Sequence, residues 1–384
     1  MYNVKLYNKI SQIGLDNFDL TQYTCSEEFE DYDAILVRSA KLHDVAFPSS
    51  LKCIARAGAG VNNIPLDKCA EQGIVVFNTP GANANAVKEL VVCALLLASR
   101  KVVQGANWVK SLAGTPEIGP AAEKGKSTYA GPEIAGKRLG VIGLGAIGVK
   151  VANAAVGLDM EVWGYDPFLS VDGALALSRA VRHVTELDEL LAGCDYITVH
   201  VPLLADTKNL IDADAIAKMR DGVRVINLAR GELVDAKAMA AALEKGKVAA
   251  YVSDFAAEEL LAQENAVTLP HLGASTPESE DNCARMAVKE VRDYLEHGTI
   301  RNSVNFPNLK VPYEGGHRIC MIHRNIPNMI ASITAALKCN IENMGNRSKG
   351  DYAYTVMDTA EKPDSEVLKA LRAINGMISV RVID

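Results

Sequence analysis

Residues 139–148 hold the feature that most constrains the fold, an apolar run that leads directly into a Gly-x-Gly-x-x-Gly turn. Gly143, Gly145 and Gly148 form this turn, and a stretch with helical spacing follows it to about residue 157. A second β-rich run then ends in the carboxylate of Asp166. The first glycine permits a tight turn, the second lets a pyrophosphate approach the backbone, and the third lets the helix lie close to the sheet. The pattern therefore predicts a unit that binds a dinucleotide at a helix N-terminus.

Asp166 indicates which dinucleotide is bound. A carboxylate at the end of the second strand can accept hydrogen bonds from the adenosine ribose hydroxyls, and it repels a 2′-phosphate. The following Pro167 and Phe168 supply no arginine to bind such a phosphate. We therefore predict NAD as the cofactor, in preference to NADP.

Length and composition limit the class of protein. The 384 residues suffice for two or three domains. The net charge of −7 and the absence of a dense Lys/Arg block argue against nucleic-acid binding. The longest apolar run, residues 90–98, is far too short to span a membrane, and no signal peptide is evident. The eight cysteines have no metal-ligand spacing and mostly lie in apolar segments, so we expect no metal site and a cytoplasmic protein.

Strand and helix signals alternate through two stretches of the chain, and this alternation predicts two doubly wound parallel-sheet α/β domains. One is a Rossmann NAD domain of residues 99–279 with six strands, entered through a Gly/Pro-rich connection at residues 105–136. The other is a flavodoxin-like substrate domain. A long helix after Ser275-Thr276-Pro277 is expected to return the chain to it, so that it is discontinuous and comprises residues 1–98 and 280–306.

The pattern changes beyond residue 312. Residues 317–384 show the order β-α-β-β-α-β, which is typical of a ferredoxin-like fold. A linker rich in Pro and Gly, residues 307–316, precedes them. We therefore predict a separate C-terminal module.

Polar residues at strand ends suggest what the bound cofactor does. Arg230 follows a strand and is expected at the carboxyl edge of the sheet, where its fork can grip a carboxylate and polarise a neighbouring carbonyl. His271 stands in the next edge loop, with Asp254, Glu258 and Glu259 between the two in sequence. A histidine that exchanges a proton with an alcohol, held by a carboxylate, is the acid–base half of a hydride transfer.

With these motifs the chain resembles the D-2-hydroxyacid dehydrogenase family over nearly its whole length, and within it the phosphoglycerate branch, to which Arg38 and Arg56 point. The segments that carry the resemblance are residues 37–40 (Val-Arg-Ser-Ala), 56–63 (Arg-Ala-Gly-Ala-Gly-Val-Asn-Asn), 78–80 (Asn-Thr-Pro), the glycine turn, 229–231 (Ala-Arg-Gly) and 270–276 (Pro-His-Leu-Gly-Ala-Ser-Thr). The resemblance implies NAD-dependent oxidation of 3-phospho-D-glycerate to 3-phosphohydroxypyruvate, the first step of L-serine biosynthesis.

The resemblance also implies roles for individual residues. The implied catalytic set is Arg230, Glu259 and His271. The implied cofactor contacts are Gly143, Gly145, Ala146, Ile147, Gly148, Asp166, Val201, Pro202, Leu228, Ala229, Asp254, Gly273 and Ala274. The implied substrate contacts are Arg38, Arg56, Gly58, Ala59, Gly60, Arg230 and His271.

The glutamate is the one departure from the family pattern. The family usually has Asp-Val-Phe-x-x-Glu-Pro, whereas residues 253–260 read Ser-Asp-Phe-Ala-Ala-Glu-Glu-Leu. When the chain is aligned with the family pattern from Arg230 onward without a gap, Glu259 falls on the family's glutamate. When Phe255 is aligned with the family's phenylalanine instead, Glu258 falls there. We prefer Glu259, which would stabilise a protonated His271 and so favour oxidation at alkaline pH.

The C-terminal module resembles an ACT domain, which implies a homodimer or homotetramer and an amino-acid effector site. His323, Asn325 and Asn340 match the positions at which the family binds L-serine. Asn328 stands where the family has a glycine, and asparagine tolerates a left-handed backbone better than most residues, so we expect the turn to be kept. A module that only assembles the oligomer remains an alternative. Within the same enzyme class the alternatives are a hydroxypyruvate/glyoxylate reductase, a D-lactate-type enzyme or a 2-hydroxyglutarate dehydrogenase. Outside it, the alternative is an NAD-sensing regulator of the corepressor type.

Overall fold

The computed structural model describes residues 1–337 and 339–384. They form two compact units, one made of Met1–Asn83 with Pro277–Asp384 and the other of Ala84–Thr276. The sequence placed the first boundary at residue 98, some fifteen residues later. The difference arises because the helix Ala84–Ser99 buries its apolar face in the second unit.

The N-terminal part of the first unit is a five-stranded parallel sheet with the order β2-β1-β3-β4-β5. Its strands are β1 (Tyr2–Tyr7), β2 (Tyr23–Ser26), β3 (Ala34–Val37), β4 (Cys53–Arg56) and β5 (Val75–Phe77), and its short helices are α1 (Gln12–Leu15) and α2 (Leu66–Glu71). Every residue of β3 and β5 is buried, as expected where both faces of a parallel sheet are covered. This strand order is the flavodoxin-like one that the sequence predicted.

The second unit is a seven-stranded parallel sheet with the order β12-β11-β10-β9-β6-β7-β8. Its strands are β6 (Arg138–Ile142), β7 (Glu161–Tyr165), β8 (Arg182–His183), β9 (Tyr196–Val199), β10 (Val223–Asn227), β11 (Val248–Ser253) and β12 (Ala266–Thr268). The order is that of a Rossmann fold, with β8 as a strand the sequence did not predict. The carboxyl ends of β6, β9, β10 and β11 therefore meet at one edge, where ligands bind in open α/β sheets.

Helices of the second unit precede β6 and connect the strands of this sheet. They are α3 (Ala84–Ser99), α4 (Val102–Ser111), α5 (Ile118–Gly125), α6 (Ala146–Val156), α7 (Val171–Ala176), α8 (Leu187–Gly193), α9 (Ala213–Lys218), α10 (Ala236–Glu244) and α11 (Glu258–Leu261). The Gly/Pro-rich connection thus contains two short helices rather than open loop. Asp212 and Asp235 cap α9 and α10 by accepting hydrogen bonds from N–H groups of the first turn.

The chain returns to the first unit through α12 (Pro277–His297) and ends in a four-stranded antiparallel sheet with the order β14-β15-β13-β16. Its elements are β13 (His317–Arg324), α13 (Met329–Ala336), β14 (Ile341–Lys349), β15 (Tyr352–Thr359), α14 (Ser365–Arg372) and β16 (Met377–Ile383). This is the β-α-β-β-α-β arrangement predicted from the sequence.

The C-terminal sheet packs against the five-stranded sheet within the first unit. Side chains of both sheets share one hydrophobic cluster, in which Cys320 and Tyr354 join Cys53 and Tyr294. The buried Arg318 forms two bonds to Asp358 at 2.6 and 2.8 Å and also donates to the carbonyls of His297, Val311 and Pro312. Arg381 donates to the carbonyls of Tyr294 and Leu295 at 2.6 and 2.9 Å. The two guanidinium groups thus satisfy carbonyls at the end of α12, where a cation is electrostatically favoured.

Candidate functional site

The glycine turn joins β6 to α6, and its three glycines meet different surroundings. Gly143 has φ +93°, and a Cβ there would lie 2.8 Å from the carbonyl oxygen of His200. A Cβ on Gly148 would overlap the carbonyl oxygen of Gly143. A Cβ on Gly145, in contrast, would meet no protein atom within 4 Å. The open space beside Gly145, at the start of α6, fits a pyrophosphate, and Ala146 and Ile147 follow in the first helical turn.

Asp166 lies at the end of β7, beside this turn. Its Oδ2 accepts a 2.8 Å hydrogen bond from the N–H of Leu144, and its Oδ1 accepts one from Phe168. Carboxylate oxygens have further lone pairs, so Asp166 can still accept from ribose hydroxyls. The structure therefore brings the predicted turn and the predicted acid together.

The next strand end contributes His200, Val201 and Pro202. His200 Nε2 lies 3.0 Å from the hydroxyl of Thr198, whereas its Nδ1 is buried and has no partner among the described residues. Burial lowers the pKa of His200 to about 4, so the ring is neutral at physiological pH. Val201 lies against Gly143 and closes this side of the turn.

Arg230 follows β10 in an extended conformation and is partly exposed. The fully buried Asn227 supports it: its amide donates to the Arg230 carbonyl at 2.8 Å, and its Oδ1 accepts from the N–H of Ala229 at 3.2 Å. The sequence analysis did not assign a role to Asn227. The signal that could have found it is a polar residue at the last, buried position of β10.

Asp254 organises the loop that carries His271. Its carbonyl accepts from the N–H of His271 and its Oδ2 from the N–H of Gly273, both at 2.8 Å. Its Oδ1 is buried and has no partner among the described residues. Burial raises the pKa of Asp254, although the bond from Gly273 and the charges of His271 and Arg230 oppose this shift. A buried acceptor without a donor fits the carboxamide N–H of a nicotinamide ring at this position.

His271 itself is exposed and adopts φ +48°, a left-handed conformation that is uncommon for residues other than glycine. Its ring lies 4.8 Å from the ring of Phe255. The imidazole thus lies against Phe255 on a fixed backbone and is exposed to solvent, so a proton can reach it.

The predicted glutamate is not brought to this histidine. Glu258 and Glu259 are exposed at the start of α11. Within residues 1–337 and 339–384, neither carboxylate forms a hydrogen bond or ion pair with His271. The choice between the two glutamates remains a prediction.

In the first unit, Arg38 and Arg56 lie at the carboxyl edge of the five-stranded sheet. Arg38 directly follows β3, and Arg56 is the last residue of the neighbouring strand β4. Arg56 Nε donates to the Arg38 carbonyl at 3.0 Å, and Arg38 forms a 2.7 Å ion pair with Glu280. The segment Gly58, Ala59 and Gly60 begins two residues after Arg56.

A pocket of about 180 Å³ lies in the C-terminal sheet region. Its lining includes His323, Asn325, Asn328 and Asn346, but not the predicted Asn340. Asn328 has φ +63°, so it takes the left-handed turn that the sequence predicted.

His323 faces this pocket with both ring nitrogens already engaged. They lie 2.8 Å from the Arg324 carbonyl and 2.8 Å from the Thr355 hydroxyl. The Asn346 amide donates to the same hydroxyl at 2.6 Å. Both ring nitrogens of His323 thus have partners within the protein, and Asn325, Asn328 and Asn346 add further polar side chains to the lining. The serine site stays a prediction.

Comparison with known proteins identifies the family. Residues 92–275 match the family described as D-isomer specific 2-hydroxyacid dehydrogenase, NAD binding domain. A D-3-phosphoglycerate dehydrogenase of Haemophilus influenzae is 33% identical over 342 residues, which cover 84% of this chain and 79% of that protein. The chain belongs to the D-2-hydroxyacid dehydrogenase family. The second unit is therefore its NAD-binding domain.

Other members of the family resemble the chain over different lengths. A D-3-phosphoglycerate dehydrogenase of Archaeoglobus fulgidus is 38% identical over 293 residues, 74% of this chain and 53% of that protein. The chain thus spans about half the length of that relative. A crystal structure of a glyoxylate reductase from Paecilomyes thermophila is 27% identical, with a TM-score of 0.64 over 79% of this chain and 98% of that one.

No helix within residues 1–337 and 339–384 combines the length and the hydropathy that a membrane span needs.

Proposed function

We propose that the protein oxidises 3-phospho-D-glycerate to 3-phosphohydroxypyruvate with NAD, the first step of L-serine biosynthesis. The observation that carries this proposal is the identity of 33% to a phosphoglycerate dehydrogenase over 84% of this chain. A second support is that the glycine turn, Arg230 and His271 all follow strands at the carboxyl edge of one sheet. NAD supplies the hydride acceptor.

Within the NAD-binding domain, each candidate residue has a chemical task. Gly145 and the first turn of α6 bind the pyrophosphate of NAD. Asp166 binds the adenosine ribose, and Asp254 binds the nicotinamide carboxamide. Arg230 binds the substrate carboxylate and polarises the neighbouring C2–oxygen bond, which is an alcohol before hydride transfer and a carbonyl after it. His271 accepts the hydroxyl proton, and a glutamate, in our assignment Glu259, stabilises the imidazolium that results.

The substrate carries a phosphate and a carboxylate, which is more negative charge than one arginine neutralises. Arg38 and Arg56, with the backbone N–H groups of Ala59 and Gly60, are our candidates for the remaining contacts. The N–H of Gly58 already donates to the Arg56 carbonyl at 2.8 Å. The ion pair of Arg38 with Glu280 and the bond from Arg56 Nε to the Arg38 carbonyl hold the two arginine side chains at this edge of the sheet.

An effector site in the C-terminal sheet region is a further part of the proposal. We propose that L-serine binds in the pocket beside Asn325 and Asn346 and slows turnover, in an ACT-type homodimer or homotetramer. The amide oxygens of the two side chains can accept hydrogen bonds from an α-amino group, and the backbone N–H groups that begin α13 can bind a carboxylate. L-serine titration of the wild type and Asn325→Ala tests this, because unchanged turnover at millimolar serine without heat of binding would leave the module as an assembly device.

One assay tests the main proposal. NAD reduction is followed with 3-phosphoglycerate, D-lactate, D-glycerate and 2-hydroxyglutarate in parallel. We expect turnover to be fastest with 3-phosphoglycerate. Faster turnover with one of the other acids would assign another substrate within the family, and no turnover with any of them would favour an NAD-sensing regulator.

A further inference from the structure

Glu290 is a buried carboxyl group that the proposed reaction does not use. It lies in α12, its side chain is almost fully buried, and its Oε2 has no partner among the described residues. Its Oε1 accepts a 2.7 Å hydrogen bond from the side-chain amide of Asn302. Burying a carboxyl group with a single hydrogen bond is costly, so its presence calls for a structural explanation.

Asn302 is held in an unusual conformation by this bond. Its φ is +57°, the left-handed region that residues other than glycine rarely occupy. In this conformation its side chain binds Glu290 while its carbonyl accepts from the N–H of Asn78, at 3.4 Å. The contact to Glu290 thus offsets the cost of a strained residue.

The segment after Asn302 runs along the edge strand β5. Ser303 forms an antiparallel bridge with Phe77, and Val304 donates to the Val76 carbonyl at 2.9 Å. Asn302 extends this pairing by one residue beyond the strand, to Asn78.

Asn78 connects the pairing to the candidate substrate loop. Its side-chain amide donates to the carbonyl of Ala59 at 2.6 Å, and the next residue, Thr79, donates through its N–H to the carbonyl of Gly58 at 3.1 Å. Gly58 and Ala59 lie two and three residues after Arg56. A continuous set of hydrogen bonds therefore runs from Glu290 through Asn302 and Asn78 to this loop.

We propose that Glu290 is a positioning residue for substrate, which fixes the loop 56–60 through Asn302 and Asn78 without touching substrate itself. The inference rests on the proposed function, because it takes this loop as part of the substrate site. A loop held by several bonds presents its N–H groups and Arg56 at a constant spacing, so it loses less entropy when it binds an anion.

The test compares four variants by substrate kinetics and by amide hydrogen exchange. Glu290→Leu removes the acceptor for Asn302, and Asn302→Gly removes the donor while it tolerates the left-handed backbone. Glu290→Gln keeps an acceptor oxygen. Val291→Ala, at the neighbouring buried position of α12, is the control for a general loss of packing.

We expect Glu290→Leu and Asn302→Gly to raise the KM for 3-phosphoglycerate roughly tenfold, the effect of losing about one hydrogen bond, with the KM for NAD unchanged. Exchange of the Asn78 amide should accelerate in both. Glu290→Gln should restore the wild-type values of KM and exchange, and Val291→Ala should lower stability alone.

Three results would overturn the inference: an unchanged Asn78 exchange rate in Asn302→Gly, a Glu290→Gln variant as impaired as Glu290→Leu, or an equal KM increase in Val291→Ala. Should Glu290→Leu fail to fold, Asn302→Gly gives the same comparison. A wild type that does not oxidise 3-phosphoglycerate would refute the proposed function, and the exchange measurements would still decide whether Glu290 orders the loop.

Discussion

The backbone N–H of His271 donates a 2.8 Å hydrogen bond to the carbonyl of Asp254, so the loop that presents the imidazole is tied to the end of β11. The Asp254 carboxylate adds a second bond two residues further on, to the N–H of Gly273. One residue thus fixes the backbone on both sides of the candidate acid–base group and leaves one buried oxygen for a ligand.

Asp254→Asn should weaken NAD binding and leave the fold intact. One amide oxygen can still accept from Gly273, but the amide nitrogen cannot accept from a nicotinamide carboxamide. The loss of one buried hydrogen bond predicts a Kd for NAD that rises roughly tenfold to a hundredfold. Calorimetric titration with NAD measures it, and an unchanged Kd with an unchanged melting temperature would place the carboxamide elsewhere.

The glycine turn allows two substitutions that separate folding from cofactor binding. Gly148→Ala should destabilise the NAD-binding domain by about 1–3 kcal/mol, because its Cβ would overlap the Gly143 carbonyl. Gly145→Ala should leave the melting temperature nearly unchanged and weaken NAD binding, because its Cβ enters the space we assign to the pyrophosphate. Thermal denaturation and NAD titration of both variants check this. Tight NAD binding by Gly145→Ala would contradict the assignment.

His271→Asn should lower turnover by a factor of roughly a hundred to ten thousand, the usual contribution of a general base, while NAD still binds.

Glu259→Gln should alter the pH dependence of turnover, because a nearby carboxylate favours the protonated imidazole. Glu258→Gln is the matched control on the same helix. A changed pH profile in Glu258→Gln alone would reverse our choice between the two.

Arg56→Ala should raise the KM for 3-phosphoglycerate far more than the KM for NAD. A charge-assisted bond to phosphate or carboxylate is worth about 1.5–3 kcal/mol, which corresponds to roughly a ten- to hundredfold change. Steady-state kinetics with each substrate varied in turn give both constants. Equal changes in the two KM values would mean that Arg56 has only a structural role.

The buried Glu290 predicts a pH dependence of stability. Burial is the main cause that raises its pKa from 4.5 to about 8, reinforced by Asp293 and opposed by the bond from Asn302 and by Arg301. Between these two pH values the folded protein keeps a proton that the unfolded chain has lost, so its contribution to stability falls as the pH rises. The Glu290→Gln variant has no proton to lose at this position, so its stability lacks this pH dependence. The melting temperature of the variant minus that of the wild type should therefore grow from pH 5 to pH 8. A constant difference would mean that the carboxyl group is already ionised in the folded state.

Patterns local in sequence predicted much of the fold. The alternation of strands and helices gave both parallel sheets, since each strand carries its own hydrophobic run, and the glycine turn and Asp166 were found together as expected. The strand Arg182–His183 was missed because it has two exposed residues and no apolar periodicity.

The features that could not be predicted depend on contacts between residues distant in the chain. The sequence marks Asn227 as a polar strand end, but the groups that it bonds to in the Arg230 loop are seen only in the structure. His323 matched a ligand position in sequence, yet Thr355, thirty-two residues later, occupies its Nε2. Spacing from Arg230 could not show whether Glu259 reaches His271, because the conformation of the short segment between them decides it.

The two arginines that bond to the end of α12 have a consequence for dissecting the protein. Because Arg318 and Arg381 bond to carbonyls of this helix and its following segment, removal of residues 317–384 would leave those acceptors without donors and open the hydrophobic cluster around Tyr294 to water. Truncation before β13 would therefore not release an intact dehydrogenase fragment. We expect the N-terminal and C-terminal sheets to melt together in a single transition, because they share the hydrophobic cluster around Cys53 and Tyr294.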